Sequence, residues 1–210
     1  MRTFLQFAML MASFVTIAGC QPASLTADDI IPSVVTGDSS SKQFGGSVNV
    51  QAVVPEIASP MFYVPLSYWI DSEKVKTAIE KSVAQKGLFL RIVPTNADYA
   101  LDVWIEQAAP SLNVFGECFM FDVTSVWRLT RVKDGCVLVC DYVKGHGASQ
   151  AFAGVAQKQS VMRAVRDTIQ KGLMMLSDGS TDHLAAISTY ESVPRPSEHM
   201  VNNQTPSPSR

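Results

Sequence analysis

The segment CFMFDVTSVWRLTRVKDGCVLVCDYVK, residues 118–144, carries the strongest pairing signal in the chain. Two runs rich in β-branched and aromatic residues flank Asp134-Gly135, and an Asp-Gly pair favours a two-residue hairpin turn. A turn at these residues places Trp127 opposite Tyr142, and the apolar faces of the two runs then coincide. The predicted strands of this hairpin are 118–132 and 136–144.

Upstream of the hairpin, a helix is flanked by extended segments. Asp71 is suited to cap the helix, Val75, Ile79 and Val83 follow at a spacing of four, and Gly87 ends the pattern. Apolar or alternating runs on both sides predict strands. These runs are 47–54, 88–93 and 99–107.

Downstream of the hairpin, a second helix begins at Ser160 and ends at Asp178-Gly179. Gly172 lies in this helix and allows close contact with a sheet. Each helix has one apolar stripe, and most strands have one apolar face. We therefore predict an α+β two-layer sandwich of order β-α-β-β-β-α, with the helices on one face of a mostly antiparallel sheet.

Charge and composition exclude some classes of partner. The chain has 210 residues, 17 basic and 19 acidic side chains, and a formal net charge of −2. No basic patch stands out, so we expect no nucleic-acid partner.

The N-terminus resembles the lipobox of bacterial lipoproteins. Arg2 precedes an apolar run from Phe4 to Ile17, and Ile17-Ala18-Gly19-Cys20 follows the pattern of small residues before a cysteine. The resemblance implies a signal peptide over 1–19, a triacylated Cys20 as membrane anchor, and, with non-acidic Gln21, an outer-membrane location facing the periplasm. The alternatives are an ordinary signal peptide and an uncleaved anchor, although a run of about 14 residues is short for a span.

The rest of the chain divides into a tether, a body and a tail. Residues 20–45 are polar and predict a flexible tether after the lipidated cysteine, with a coil span of about 25–30 Å. Alternatively, Ile30 and Ile31 pack onto the body, together with Val34 and Val35. The body covers 46–178, and 179–210 predicts a short helix and a disordered tail.

The three later cysteines do not have the spacing of a zinc site. Cys136 and Cys140 lie on one predicted strand about 13 Å apart, too far for a direct bond. A disulfide would therefore join Cys118 to one of them, with Cys118 and Cys140 as the candidate pair. The alternative is three reduced thiols.

A search for catalytic residues finds no nucleophile–base set, metal site or cofactor motif. His146 is predicted in a mobile loop, Gly145-His146-Gly147. Four carboxylates are interpreted as ordinary polar side chains on a solvent-exposed face of the sheet: Asp102, Glu106, Asp122 and Asp141. We therefore predict a protein that is not an enzyme.

Two regions are candidates for contact with a partner or ligand. The first contains Phe62, Tyr63, Tyr68 and Trp69; the alternative is a segment packed over one end of the core. The second is the long hairpin, which could present an unpaired edge. Its alternative is a bent strand with a bulge.

The lipobox, the polar tether, the order of elements and the segment NADYALDV at 96–103 resemble small envelope lipoproteins. Examples are the lipopolysaccharide-transport assembly lipoprotein and the auxiliary lipoproteins of ABC-type transporters. The resemblance implies a non-enzymatic binding or scaffold subunit with an envelope protein partner. A periplasmic lipid- or glycan-binding carrier is the alternative. An envelope hydrolase would require His146 beside Ser125 or a cysteine in a cleft.

Overall fold

The computed structural model describes residues 24–33, 44–56, 66–112, 118–150 and 153–178. The predicted lipobox, the short helix and the tail lie outside these residues. A 3₁₀ helix at Asp28–Ile30 precedes the main elements. The strands are β1 Phe44–Val53, β2 Phe89–Ile92, β3 Tyr99–Leu112, β4 Phe119–Arg131 and β5 Cys136–Ser149, and the helices are α1 Leu66–Trp69, α2 Ser72–Lys86 and α3 Ala153–Asp178.

The five strands form one sheet in the order β2-β1-β3-β4-β5. β1 is parallel to β2 and β3, whereas the longer β3–β4 and β4–β5 ladders are antiparallel. The predicted α+β sandwich with a mostly antiparallel sheet is confirmed. All five runs predicted as strands form strands, so the order β-α-β-β-β-α, which counts only four, is one strand short; β2 and β3 lie on opposite sides of β1.

Both long helices contribute to one hydrophobic core on one face of the sheet. The predicted boundaries of α2 are confirmed by its caps. The Asp71 carboxylate accepts a hydrogen bond from Lys74 N at 2.9 Å, and Gly87 ends the helix in the left-handed region at φ 65°. Val75, Ile79 and Val83 are buried, as their spacing predicts.

The predicted register of the hairpin is wrong by one residue, since Trp127 lies opposite Asp141 and Tyr142 lies opposite Val126. The turn has four residues, Val132–Gly135, rather than two. The Asp134 carboxylate accepts hydrogen bonds from the Arg131 guanidinium and from Cys136 N, which stabilises this wider turn. The ladder then shifts beyond Leu129, so Trp127 and Tyr142 point to opposite faces of the sheet.

β5 continues through Gly145, His146 and Gly147, which were predicted to form a loop. The two glycines face α3, and a Cβ at Gly147 would overlap the Ser160 carbonyl oxygen. The predicted close contact at Gly172 is confirmed, because a Cβ there would overlap the Trp127 ring. Three glycines thus let the backbone of α3 lie directly on β4 and β5.

The prediction of a flexible tether is wrong for residues 24–33, which we call the N-terminal arm. Leu25 and Ile30 are 0% exposed and belong to the core, and Ile31 packs against it, as the alternative interpretation required. Leu25 N donates to Trp69 O at 2.8 Å. Burial of two such side chains contributes about 3–6 kcal/mol towards holding the arm on the body.

Candidate functional surfaces

His146 and Asp122 form a polar pair on the sheet. Their side chains meet at 2.7 Å between Nδ1 and Oδ1 and are 60% and 45% exposed. The Ser125 hydroxyl is buried, accepts from Trp127 Nε1 at 2.9 Å and donates to the Val143 carbonyl at 3.4 Å. His146 and Ser125 therefore lie on opposite faces, so the serine–histidine arrangement required for the hydrolase hypothesis is not formed.

Metal-ligating side chains do not cluster anywhere in the described part of the chain. The interpretation of the four carboxylates as solvation of one face needs correction. Asp102 is only 8% exposed and lies opposite Arg128. Asp141 lies opposite Trp127 and so shares the helix-covered face, whereas Asp122 is on the other face with His146.

Cys118, Cys136 and Cys140 are free thiols. The pairing of Cys118 with Cys140 is not formed, because Cys140 lies opposite Arg128. Ten residues of strand, about 33 Å, separate the two positions along the hairpin. Desolvation by burial raises the pKa of the Cys140 thiol, which favours its protonated form.

The face of the sheet away from the helices carries an apolar row that crosses four strands. Trp104 lies opposite Val53 and Val126, and Val126 lies opposite Tyr142. We call this row of four residues the open-face row. Tyr142 is an exposed member, and the two long helices pack on the opposite face. Val126 is buried and Val53 and Trp104 are half-buried, so the aromatic surface that the row offers to a partner is Tyr142 with part of Trp104.

The outer edge of the sheet is covered over part of β5. Three α3 side chains bind backbone groups of this strand: Lys171 Nζ donates to Lys144 O at 3.0 Å, Asp167 accepts from His146 N at 2.9 Å, and Arg163 donates to Ala148 O. These contacts occupy groups that another strand would need for pairing. The hypothesis of a hairpin edge open to a partner is therefore limited to the part of β5 before Lys144.

Only part of the predicted aromatic surface falls within the described residues, since Phe62 and Tyr63 lie outside them. Tyr68 is 44% exposed, as a contact surface requires. Trp69 is 1% exposed and belongs to the core, so its assignment to a surface is wrong. The alternative, a segment packed over one end of the core, is confirmed for Trp69 and Ile70. The Trp69 carbonyl also accepts from Leu25 N, which ties α1 to the N-terminal arm.

Polar contacts fix the N-terminal arm along its length. The Asp29 carboxylate accepts from Thr26 N at 2.8 Å and from its hydroxyl at 2.9 Å, and these bonds lower the pKa of Asp29. Arg166 of α3 donates to the Asp29 carbonyl. Asp28 pairs with Lys81 of α2 at 2.7 Å. The arm therefore bridges the two long helices. Ile30 and Ile31 gave a sequence signal for this packing, whereas the burial of Leu25 was not predicted.

None of the described helices is both long enough and apolar enough to cross a bilayer. Cys20 lies outside the described residues, so the lipid anchor and the envelope location that follows from it are proposals.

No protein-family model matches the sequence, and no curated protein does. A protein of the DUF330 family from Xanthomonas campestris is similar in structure, with a TM-score of 0.56 and 10% identity over 72% of this chain and 96% of its own. A hypothetical protein from Chlamydia trachomatis has a TM-score of 0.50 and 7% identity over 66% and 99%. Uncharacterised lipoprotein B from Nitrosomonas europaea has a TM-score of 0.44 and 13% identity over 70% and 92%. The first two likenesses show a shared fold.

Proposed function

We propose that this chain is a lipid-anchored lipoprotein of the bacterial outer membrane, facing the periplasm. Its body acts as a non-enzymatic binding or scaffold subunit of an envelope complex for transport or secretion. The observation that carries the anchor is Ile17-Ala18-Gly19-Cys20 directly after an apolar run. Several acyl chains on one cysteine hold a protein firmly at a membrane, whereas a single chain binds reversibly.

Substitution of the anchor residue tests the first half of this proposal. Cys20→Ser removes the acylated thiol, so we expect the protein to lose its acyl mass and its partition with membranes. Cys136→Ser is the matched control, because Cys136 is an exposed free thiol in the body. This control should mature and partition as the wild type does. A Cys20→Ser protein with wild-type size and membrane partition would overturn the anchor.

The open-face row supports the second half, because it presents Tyr142 and Trp104 on the face away from the helices. We expect purification in mild detergent to recover a stoichiometric envelope protein. Tyr142→Lys should abolish this recovery, since a charge would be placed in the contact. Leu90→Lys is the control, because Leu90 is also exposed but lies on β2 at the far edge of the sheet.

Recovery of the wild-type monomer alone would contradict the scaffold role. A lipid or glycan retained in native mass spectrometry would favour the carrier alternative instead. If Tyr142→Lys recovers as much of the envelope protein as the wild type does, the partner does not bind at the open-face row.

A further inference from the structure

The N-terminal arm joins the body beside the first turn of α2. Lys74 Nζ in this turn donates to Ser24 Oγ at 3.5 Å. The arm then follows α2, since Asp28 pairs with Lys81 at 2.7 Å further along the helix. The arm therefore begins at a fixed point on the body, and its own length does not add to the connection with Cys20.

The connection from Cys20 to this fixed point is short. Four residue steps separate Cys20 from Ser24 in the sequence. Fully extended, they span at most about 14 Å. If residues 20–43 were a free coil instead, they would have a contour length of about 80 Å and an r.m.s. span of about 27 Å. Packing of the arm on the body thus reduces the largest possible distance between the anchor and the body about sixfold.

The arm attaches near the middle of the long axis of the body. β1 ends beside the start of α2, because Val54 N donates to the Ser72 hydroxyl at 2.9 Å. The β3–β4 ladder continues past the end of β1 as far as Leu112 and Phe119, and in the other direction it extends to Tyr99. The connection therefore does not select which end faces a membrane, but it keeps every part of the body close to the anchor.

The open-face row lies at the same level along the strands, since Val53 near the end of β1 belongs to it. The helix layer and the sheet together separate the row from the arm by about 20 Å. From β1 to β5 there are three strand spacings, about 15 Å in all. With the connection added, Tyr142 lies at most about 40 Å from Cys20. This limit holds for any orientation of the body.

We infer that the docked arm, and not a flexible tether, sets the reach of the body, so that the partner of the open-face row lies in the layer next to the outer membrane. The inference rests on the proposed function, which supplies the anchor at Cys20. The partner that fits this reach is a protein embedded in the same membrane. Two proteins confined to one membrane meet at a raised effective concentration, which a short connection preserves and a long one dilutes.

Two insertions of the same linker test whether the arm sets the reach. A Gly-Ser linker of about 40 residues has an r.m.s. span of about 35 Å. Placed between Ala23 and Ser24, it precedes the arm and lengthens the connection to the anchor. Placed between Asp38 and Ser39, it follows the arm, so the connection to the anchor keeps its length. A free tether would respond equally to both insertions.

Energy transfer from the body to the bilayer measures the reach in the full acylated protein. The donor is attached to Cys136, an exposed thiol, with Cys118→Ser and Cys140→Ser, and the acceptor is on the headgroups of phosphatidylethanolamine–phosphatidylglycerol vesicles. The insertion before the arm should lower the transfer efficiency about twofold or more, because it adds its own span to the distance from the bilayer. The insertion after the arm should leave the efficiency unchanged. Any other pattern, including equal decreases or no decrease, would overturn the inference.

Acyl mass and vesicle binding separate this inference from the proposed function. Both insertion proteins should keep the acyl mass on Cys20 and should bind the vesicles as the protein without insertion does. Absence of acyl mass in the protein without insertion would overturn the proposed function and the inference together. Acylated, vesicle-bound insertion proteins with equal energy transfer would overturn the inference alone.

Circular dichroism and urea unfolding show whether the labelled background and the two insertion proteins are folded. If the serine substitutions unfold the body, neutron reflectometry of the unlabelled proteins on a supported bilayer measures the same spacing. A gap between bilayer and protein that widens only for the insertion before the arm would support the inference. A gap that widens for both insertions would overturn it.

Cell fractionation tests the kind of partner. The envelope protein recovered with the wild-type chain should still fractionate with the outer membrane in cells that lack this chain, because it is embedded there by itself. A recovered protein that fractionates with the periplasm or with the inner membrane would overturn the assignment of the partner to the same membrane.

Discussion

The two long helices cover the same face of one sheet, but they contact it in different ways. α3 lies directly on β4 and β5 through backbone contacts at Gly145, Gly147 and Gly172. α2 lies on β1 and β2 through the side chains of Val75 and Ile79, which share the core with the N-terminal arm. We call the part of the core under α3 the α3 half and the part under α2 the α2 half. The α3 half has no room for added atoms, whereas the stability of the α2 half depends on side-chain volume.

The difference has a cause in the sequence of each half. β4 carries Trp127, a large core residue, so the helix above it needs Gly172 to approach. β1 carries valines at its inward positions, and a helix with its own aliphatic residues fills the space above them. The arm completes that filling with Leu25 and Ile30. Close packing of both kinds leaves few voids, but the two halves respond to different substitutions.

The largest effect is expected for Gly147→Ala. The added methyl group overlaps backbone of α3 at Ser160, which cannot move aside as a flexible side chain would. We expect a loss of about 3 kcal/mol or more in the free energy of unfolding, at the upper end for overpacking. Urea unfolding measures this loss. Gly45→Ala is the matched control, since nothing lies within 4 Å of a Cβ there. Equal stability of the two variants would show that α3 can shift.

Leu25→Ala tests the arm and should have the next largest effect. The substitution leaves a cavity at a fully buried position, with an expected cost of about 2–4 kcal/mol. Hydrogen exchange should show faster exchange in the arm and in α2 than in β4. Ser24→Ala, at an exposed neighbour, should leave both stability and exchange near wild type. An arm that stays protected in Leu25→Ala would show that Ile30 and the polar contacts hold it without Leu25.

The glycines of β5 explain why part of the fold could not be predicted. Glycine weakens an isolated strand, so Gly145-His146-Gly147 has the local pattern of a loop. Only the packing of α3 makes this segment a strand, and that contact is distant in sequence. The close contact between Gly172 and the sheet could be predicted, because a glycine inside a helix usually marks a place where another element packs closely against the helix.

The register of the hairpin and the packing of the arm could also not be predicted from local sequence. Asp134-Gly135 indicates a hairpin correctly, but the width of its turn depends on the Arg131 contact with Asp134. The wider turn moves the pairing by two residues and the bulge beyond Leu129 moves it back by one, so the register differs by one residue and Tyr142 lies on the other face, and with it the candidate surface. In the arm, the polar residues around Leu25 and Ile30 give the segment the composition of a flexible linker. The burial of these two side chains depends on contacts distant in sequence, with Trp69 and Arg166.

Removal of one methylene group from each half compares how the two halves tolerate lost side-chain volume. Ile79→Val in α2 and Ile169→Val in α3 each lose the same group from a buried position. We expect about 1 kcal/mol for each, because this cost depends on burial and not on glycine contacts. Thermal or urea unfolding of both variants measures it. A cost confined to one variant would mean that the halves also differ in how they tolerate lost volume.

The smallest effect is the acid sensitivity of the arm. Hydrogen bonds from Thr26, and then the nearby Lys158 and Arg166, lower the pKa of Asp29 from its ordinary value of 3.8. Since the folded pKa is the lower one, the ionised carboxylate contributes stability above about pH 4, and this is lost as the pH falls through the folded value. The group is largely solvated, so screening limits the contribution to about 0.5 kcal/mol.

Asp29→Asn measures this contribution. Its arm should exchange slightly faster than wild type at pH 6, and the difference should shrink as the pH falls below 3.8 and disappear once the wild-type carboxylate is protonated. Asp28→Asn is the control, because Asp28 forms an exposed ion pair with Lys81 on the same arm. A difference between wild type and Asp29→Asn that does not diminish as the pH falls below 3.8 would mean that the side chain acts through its hydrogen-bond geometry and not through its charge. The α2 half would then depend on the arm for shape alone.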